Sequence, residues 1–248
     1  MTRDKRSNRV ETVVIDRRYN GPNTSGNGGW VAGSLARRFG ATPVSVTLRA
    51  PVPLAVPLCV RWQDDGTATL DDNGTLIAEA IAAPLGLDVP IAPDPAEAEA
   101  AGVLAQQVSA QRGENFPYAH CFGCGFARSD GLRIVPGPVG NDGIVATAWT
   151  PPSPEADASG HLTVEATWAA LDCSGGLAWI HRLGAGTAIV TARMTAMIDQ
   201  RLPVGHQYTV IGWPIAQEGR KLHAGTAIFD ATGKVQARSR QLWLIQRG

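Results

Sequence analysis

The strongest constraint on how this chain can fold is that it carries one order of elements twice. In the first half, TPVSVTLRAPVPLAVPLCVRWQDDGTATLDDNGTLIAEAIA alternates apolar residues at Val44, Val46 and Leu48, bends through Pro51 to Pro57, resumes at Val60 and Trp62, and turns at Asp72-Asn73-Gly74. The second half, TAIVTARMTAMIDQRLPVGHQYTVIGWPIAQEGRKLHAGTAIFDATGKVQARSRQLWLI, repeats it: strand, bend at Leu202-Pro203-Val204-Gly205, strand, turn at Gly219, strand, turn at Thr232-Gly233. Ala78 and Ala237 each stand four residues after the glycine of their turn. Period-two alternation bounded by Gly, Asn, Asp and Pro reads as antiparallel strands with one buried face. A helix candidate precedes each meander. The first is Gly28 to Phe39; the second is Thr163 to His181, where Val164, Trp168, Leu171, Gly175 and Trp179 recur at helical spacing. The unit is therefore one apolar helix followed by a meander of strands.

Between the copies the composition changes. Residues 85–112 hold several prolines and then an Ala/Glu/Gln stretch of high helix propensity with a weak apolar stripe, which predicts a connector containing one short helix. The expected organisation is an N-terminal module over 10–84, this connector, and a C-terminal module over 113–248, whose leading segment runs from Asn115 to Trp149. With 44% hydrophobic and 18% charged residues the chain can bury a full core. Lys+Arg and Asp+Glu are equal at 22 each, so no net field draws it to nucleic acid or anionic lipid. MTRDKRSNRVETVV lacks the apolar run of a secretory signal, no stretch nears the ~18 apolar residues of a membrane span, and four cysteines are too few for a disulfide scaffold. A cytoplasmic protein is expected.

The segment TSGNGGWVAGSLARRFG places Asn27-Gly28-Gly29 at the mouth of the first helix. On residue type alone this is a turn and N-cap. In the second helix Asp172 interrupts an apolar segment between Leu171 and Cys173, where a carboxylate is costly unless paired or used. Glu165 stands near the start of that helix, where the dipole favours an acid. His120, Cys121 and Cys124 suggest zinc, but offer three ligands with no second CxxC or HxxxH, so no metal is expected. Ser174 lacks a G-x-S-x-G elbow, and Cys173 reads as a small core residue.

A helix held in the curl of an antiparallel sheet, twice over, resembles a double hotdog: an α+β fold with two antiparallel sheets, each wrapping a central apolar helix. The series HCFGCGFARSDGLRI, VATAWTP, WAALDCSGGLAW, RLPVG, EGRK and FDATGKVQARS resembles acyl-CoA thioesterases of the phenylacetate-degradation type and their actinobacterial relatives, over most of 115–245 and more loosely 12–83. Such enzymes carry His-Gly-Gly at the start of the central helix and an acid nine residues after the His. Here the second copy keeps the acid, Asp172, but reads Thr163-Val164-Glu165 nine residues earlier; the first keeps Asn27-Gly28-Gly29 but has Ala36 nine residues on.

The resemblance implies one composite site, with glycines from the first copy and the carboxylate from the second. Gly28 and Gly29 would form an oxyanion hole, with Asn27 capping the helix or donating its amide to the carbonyl. Asp172 would act as general base, or as a nucleophile through an anhydride, with Glu165 a second-choice catalytic group. Trp30, Trp168 and Met197 would wall an acyl pocket, and Arg220-Lys221, ahead of Arg37-Arg38 and Arg17-Arg18, would meet the phosphates of coenzyme A. No cofactor is implied beyond coenzyme A as part of the substrate, and hotdog assemblies suggest a homodimer. The rival readings are a catalytically silent acyl-CoA or lipid-binding module and, less well matched, an enoyl hydratase.

Overall fold

Each helix starts where a polar side chain caps it. In the computed structural model, which describes residues 10–113, 116, 118–184 and 186–247, helix α1 (Gly28–Ala36) begins with Asn27 Oδ1 accepting the Trp30 N–H at 2.9 Å. A 3-10 turn at Arg37–Phe39 ends it. Helix α3 (Val164–Leu183) begins with Thr163 Oγ1 accepting the Ala166 N–H at 3.3 Å. Such caps are worth about 1 kcal/mol each. Asn115, expected to open the second copy's leading segment, and residue 248, the expected end of its module, lie outside the described residues.

The strands of the first half are β1 (Val10–Val14), β2 (Val44–Leu48), β3 (Pro57–Trp62), β4 (Ala68–Asp72) and β5 (Thr75–Ala82). Those of the second are β6 (Gly137–Val139), β7 (Ile144–Trp149), β8 (Ile189–Ile198), β9 (Tyr208–Glu218), β10 (Lys221–Phe229) and β11 (Val235–Ile245). The spatial order β1-β3-β4-β5-β2-β8-β11-β10-β9-β7-β6 makes β2 match β8, β5 match β11, β4 match β10, β3 match β9 and β1 match β7. Register agrees in detail: Ala78 pairs with Leu48 and Leu70, and Ala237 pairs with Ile198 and Ile228. Each set is followed by a bulge in the neighbouring strand, at Leu70/Asp71 and Ile228/Phe229.

The expectation of two sheets needs correction. The strands form one 11-stranded sheet, because β2 and β8, each the outer strand of its own half, pair antiparallel from Val44↔Ala196 to Thr47↔Arg193. Pairing satisfies the open hydrogen-bonding edge that each half would otherwise present. The main core is likewise continuous, with Val31, Leu35 and Leu70 of the first half packed in one cluster with Leu171, Met194 and Val210 of the second.

The connector's helix, α2 (Pro95–Gln111), is 17 residues long rather than short. Asp94 caps it by accepting the Ala96 N–H at 2.9 Å, with Pro95 at the first helical position. It covers the sheet face opposite α3, where Ala98 joins Ile211, Trp213, Ala227 and Phe229. Small residues let it lie close: a Cβ at Gly102 would come within 2.9 Å of Thr147 Cβ.

The approach of α1 to α3 is closer still. A Cβ on Gly33 would lie 2.7 Å from Glu165 Cα and 3.0 Å from Trp168 Cβ. Gly33→Ala is therefore expected to cost about 2 kcal/mol or more in urea unfolding, since backbone must move. Gly86→Ala, with nothing within 4 Å of the added methyl, should stay within about 0.5 kcal/mol. Equal effects at the two positions would contradict the close crossing.

Candidate active site

The first turn of α1 is fixed from behind by the loop that leads into it. Gly26 N–H donates to Val52 O at 3.0 Å and Asn27 N–H to Tyr19 O at 2.8 Å, leaving the Asn27 side chain buried. Asn27 Oδ1 is committed to the cap, so its Nδ2 points the other way, 3.3 Å from Asp172 Oδ2. Gly29 N–H donates to the same oxygen at 2.9 Å. Thr191 Oγ1, from β8, donates to Asp172 Oδ1 at 2.8 Å. Asn27, Gly29 and Asp172, drawn from opposite halves of the sequence, thus meet at one carboxylate oxygen.

Gly29 has no room for a side chain: a Cβ there would fall 2.7 Å from Asp172 Cβ and 2.8 Å from Ala169 Cα. Its amide serves the acid, not an open carbonyl site, which revises the expectation that both glycines face substrate. With Trp30 N–H on Asn27 Oδ1 and Val31 N–H on Asn27 O, the Gly28 N–H is the free amide of this helix start among the described residues. It carries the local positive end of the helix dipole. Burial raises the pKa of Asp172 to about 7, against hydrogen bonds from Thr191, Gly29 and Asn27 that favour the charged form.

Gly28 and Asp172 both line a cavity of about 400 Å³. Its apolar wall includes Leu48, Leu177, Ile180, Ile189 and Trp243, and its one lining cation among the described residues is Arg49, which also pairs with Glu79. Trp30, Trp168 and Met197 do not line it. Trp30 stacks on Tyr19 with ring centroids 3.4 Å apart, and Trp168 is a buried core residue against Gly33, so both serve packing. Arg220 and Lys221 are outside the lining but beside its rim: Arg220 donates to Ile245 O at 3.0 Å, and Lys221 pairs with Leu244, itself a lining residue. Glu165 is remote from the acid and forms an ion pair with Arg37 at 3.2 Å. Arg38 pairs with Glu11, and Arg18 with Glu155 at 2.5 Å.

No protein-family model matches the chain, and no curated protein sequence matches it. Solved structures do. A protein from Thermobifida fusca YX proposed to be a thioesterase II has a TM-score of 0.63 and 14% identity, over 96% of this chain and 92% of its own. A tesB protein of Mycobacterium avium subspecies paratuberculosis gives 0.60 and 14%, over 96% and 93%. A hot dog fold protein of unknown function from Alicyclobacillus acidocaldarius gives 0.63 and 13%, over 100% and 96%. This chain has the hotdog fold. In its terms α1 and α3 are the two central helices, brought against each other by the shared sheet. Among the described residues no helix is long and apolar enough to cross a membrane.

Two features of this cavity wall escaped sequence reasoning. Thr191 gives no local signal, since a threonine in a strand is ordinary until the strand is placed beside α3. Cys173, read as core packing, joins Cys121 and Cys124 in a cluster whose Sγ atoms all lie within 4.8 Å of one another, while His120 is not part of it. Hydrogen bonds from the other two thiols, and then from the Cys124 and Gly123 amides, hold the Cys121 thiol well below its usual range; Cys124 and Cys173 are pushed up.

Thr191→Val keeps the shape of the side chain and removes one of three donors to a buried carboxyl. It is expected to lower unfolding stability by about 1–3 kcal/mol in urea titration. A change below about 0.3 kcal/mol would show that the Thr191 hydrogen bond contributes nothing.

Proposed function

We propose that this protein hydrolyses acyl-CoA thioesters at a single composite site, in which the start of α1 polarises the carbonyl and Asp172 of α3 activates water. The observation that carries the reading is the meeting of Gly29 N–H and Asn27 Nδ2 with Asp172 Oδ2 at the wall of a cavity that also holds the free Gly28 N–H. The Gly28 amide, at the positive end of α1, would receive the negative charge that grows on the thioester oxygen. Asp172 would take a proton from a water attacking the carbonyl carbon; collapse of the tetrahedral intermediate breaks the C–S bond and expels coenzyme A as thiolate, which is then protonated. Burial, which raises the pKa of Asp172 to about 7, suits it to take and return a proton near neutral pH, so the base role is preferred to the anhydride route.

In this reading Gly29, Asn27 and Thr191 position the acid. Glu165, ion-paired with Arg37 away from the cavity, drops out of the catalytic group. The apolar wall from Leu177 to Trp243 suits an acyl chain, and the cavity volume is of the size that small-molecule sites use. Arg49 in the wall, with Arg220 and Lys221 beside the rim, provides cations for the phosphates of coenzyme A, which enters as part of the substrate. Fold-level likeness over nearly the whole chain to a protein proposed to be a thioesterase II supports the assignment.

Incubation with a panel of acyl-CoAs, following free coenzyme A, tests it. Turnover is expected for the unmodified protein, and Asp172→Asn should lower kcat about 100-fold or more with the fold retained by circular dichroism. Arg49→Gln should raise KM several-fold and leave kcat nearly unchanged, the pattern of lost ground-state binding. Tight acyl-CoA binding with no release of coenzyme A by the unmodified protein would instead establish the silent binding module.

A further inference from the structure

The cysteine cluster is more ordered than core packing requires. Cys121 and Cys124 come from the loop 119–125, and Cys173 from α3; all three line the cavity. The Cys121 and Cys173 Sγ atoms are 3.7 Å apart. Three sulfurs on a tetrahedron around a cation at about 2.3 Å would be separated by roughly 3.8 Å. The cysteines are free thiols, and the 3.7 Å separation is well beyond the ~2.05 Å of a disulfide.

The loop is shaped to present sulfur. Gly125 N–H donates to Cys121 O at 2.7 Å, closing a tight turn in which a Cβ on Gly125 would lie 2.7 Å from both Ala119 O and Cys121 N. Gly123 leaves space for the third thiol: a Cβ there would lie 2.7 Å from Cys173 Sγ. Asn27 Nδ2 adds a donor from α1, 3.7 Å from Cys121 Sγ and 4.0 Å from Cys173 Sγ. Asn27 Nδ2 thus faces two of the three sulfurs from outside the cluster, and metal binding itself takes the thiol protons off.

We propose that Cys121, Cys124 and Cys173 form a three-thiolate zinc site whose fourth vertex opens onto the cavity beside Asp172. The donor set selects a soft or borderline cation, and with no further His, Cys or acid in the cluster among the described residues one coordination position is left for water or a ligand, as in zinc sites that are not closed. All three cysteines line the cavity, so that position is reached from the same space as the Gly28 amide. Uptake of Zn²⁺ displaces the remaining thiol protons to solvent. The donor set stands whatever the charge on Asp172, and it is independent of thioester hydrolysis.

Metal analysis of the full chain, purified under reducing conditions and supplied with Zn²⁺, should find one zinc per chain after removal of excess. Replacement by Co²⁺ should give an intense near-ultraviolet thiolate-to-cobalt band and visible absorption of tetrahedral strength, readouts that need no catalytic turnover. Cys173→Ser should weaken zinc binding at least about tenfold, while Cys59→Ser, on β3 outside the cluster, should not change it. The cobalt spectrum of the unmodified protein keeps the test decisive if Cys173→Ser fails to fold. Absence of zinc with all four thiols still titrating, a mass lowered by two hydrogens through a disulfide, or a cobalt spectrum without the thiolate band would overturn the site.

Discussion

The bond from the Gly29 amide to the Asp172 carboxyl is the interaction around which the rest of the molecule is arranged. An acid that is 2% exposed in the middle of a helix costs several kcal/mol unless its oxygens are satisfied. Its partners come from three places that only the tertiary fold unites: α1, the loop residue Asn27 that caps α1, and β8. Gly29 and Gly33 lie one turn apart on α1 and permit the helix contact by having no side chain. β8 in turn is held in place by its pairing with β2. The first half of the chain therefore supplies donors, the second supplies the acid and Thr191, and the seam between halves keeps them in reach.

Much of the scaffold was legible because it repeats. The alternation at Val44, Val46 and Leu48, the glycine turns and the offset from turn to Ala78 or Ala237 are local signals, and equivalent strand pairs carry them. The helix start at Gly28 was legible for the same reason, since an asparagine cap needs only its own neighbours. Continuity of the sheet was not, because period-two alternation reports which face is buried and is silent about which edges meet. The extent of α2 was underestimated because its buried stripe is made of Ala98, Gly102 and Ala105, residues that pack by closeness and barely register as hydrophobic.

The site was legible as chemistry and less so as geometry. The acid stood out as a residue with no cheap structural purpose, the glycine-rich helix start gained one beyond its cap only from the resemblance, and the fold brings them together. Trp30 and Trp168 fall outside the cavity lining, because size predicts burial and not which side of a helix the ring occupies; one stacks on Tyr19, the other fills the core. Gly29 was assigned to substrate because sequence cannot tell an amide that faces a ligand from one that faces a neighbouring carboxyl. Cys173 looked inert for want of a sulfur nearby in sequence, and acquires neighbours only when α3 meets the loop 119–125.

The symmetry-related position, where α3 begins, is built differently: Thr163 caps it, Glu165 takes the place of Gly29 and pairs with Arg37, and Ala36 stands where the acid would be. Two identical subunits about a twofold axis could not be so divided, because every residue would appear at both helix starts. Joining the halves in one polypeptide frees them to specialise, so one end can harden into pure scaffold while the other keeps a buried, polar interior. Substitutions that tune the Arg37–Glu165 end are not copied into the Asp172 end, and the molecule can drift at one pole without consequence at the other.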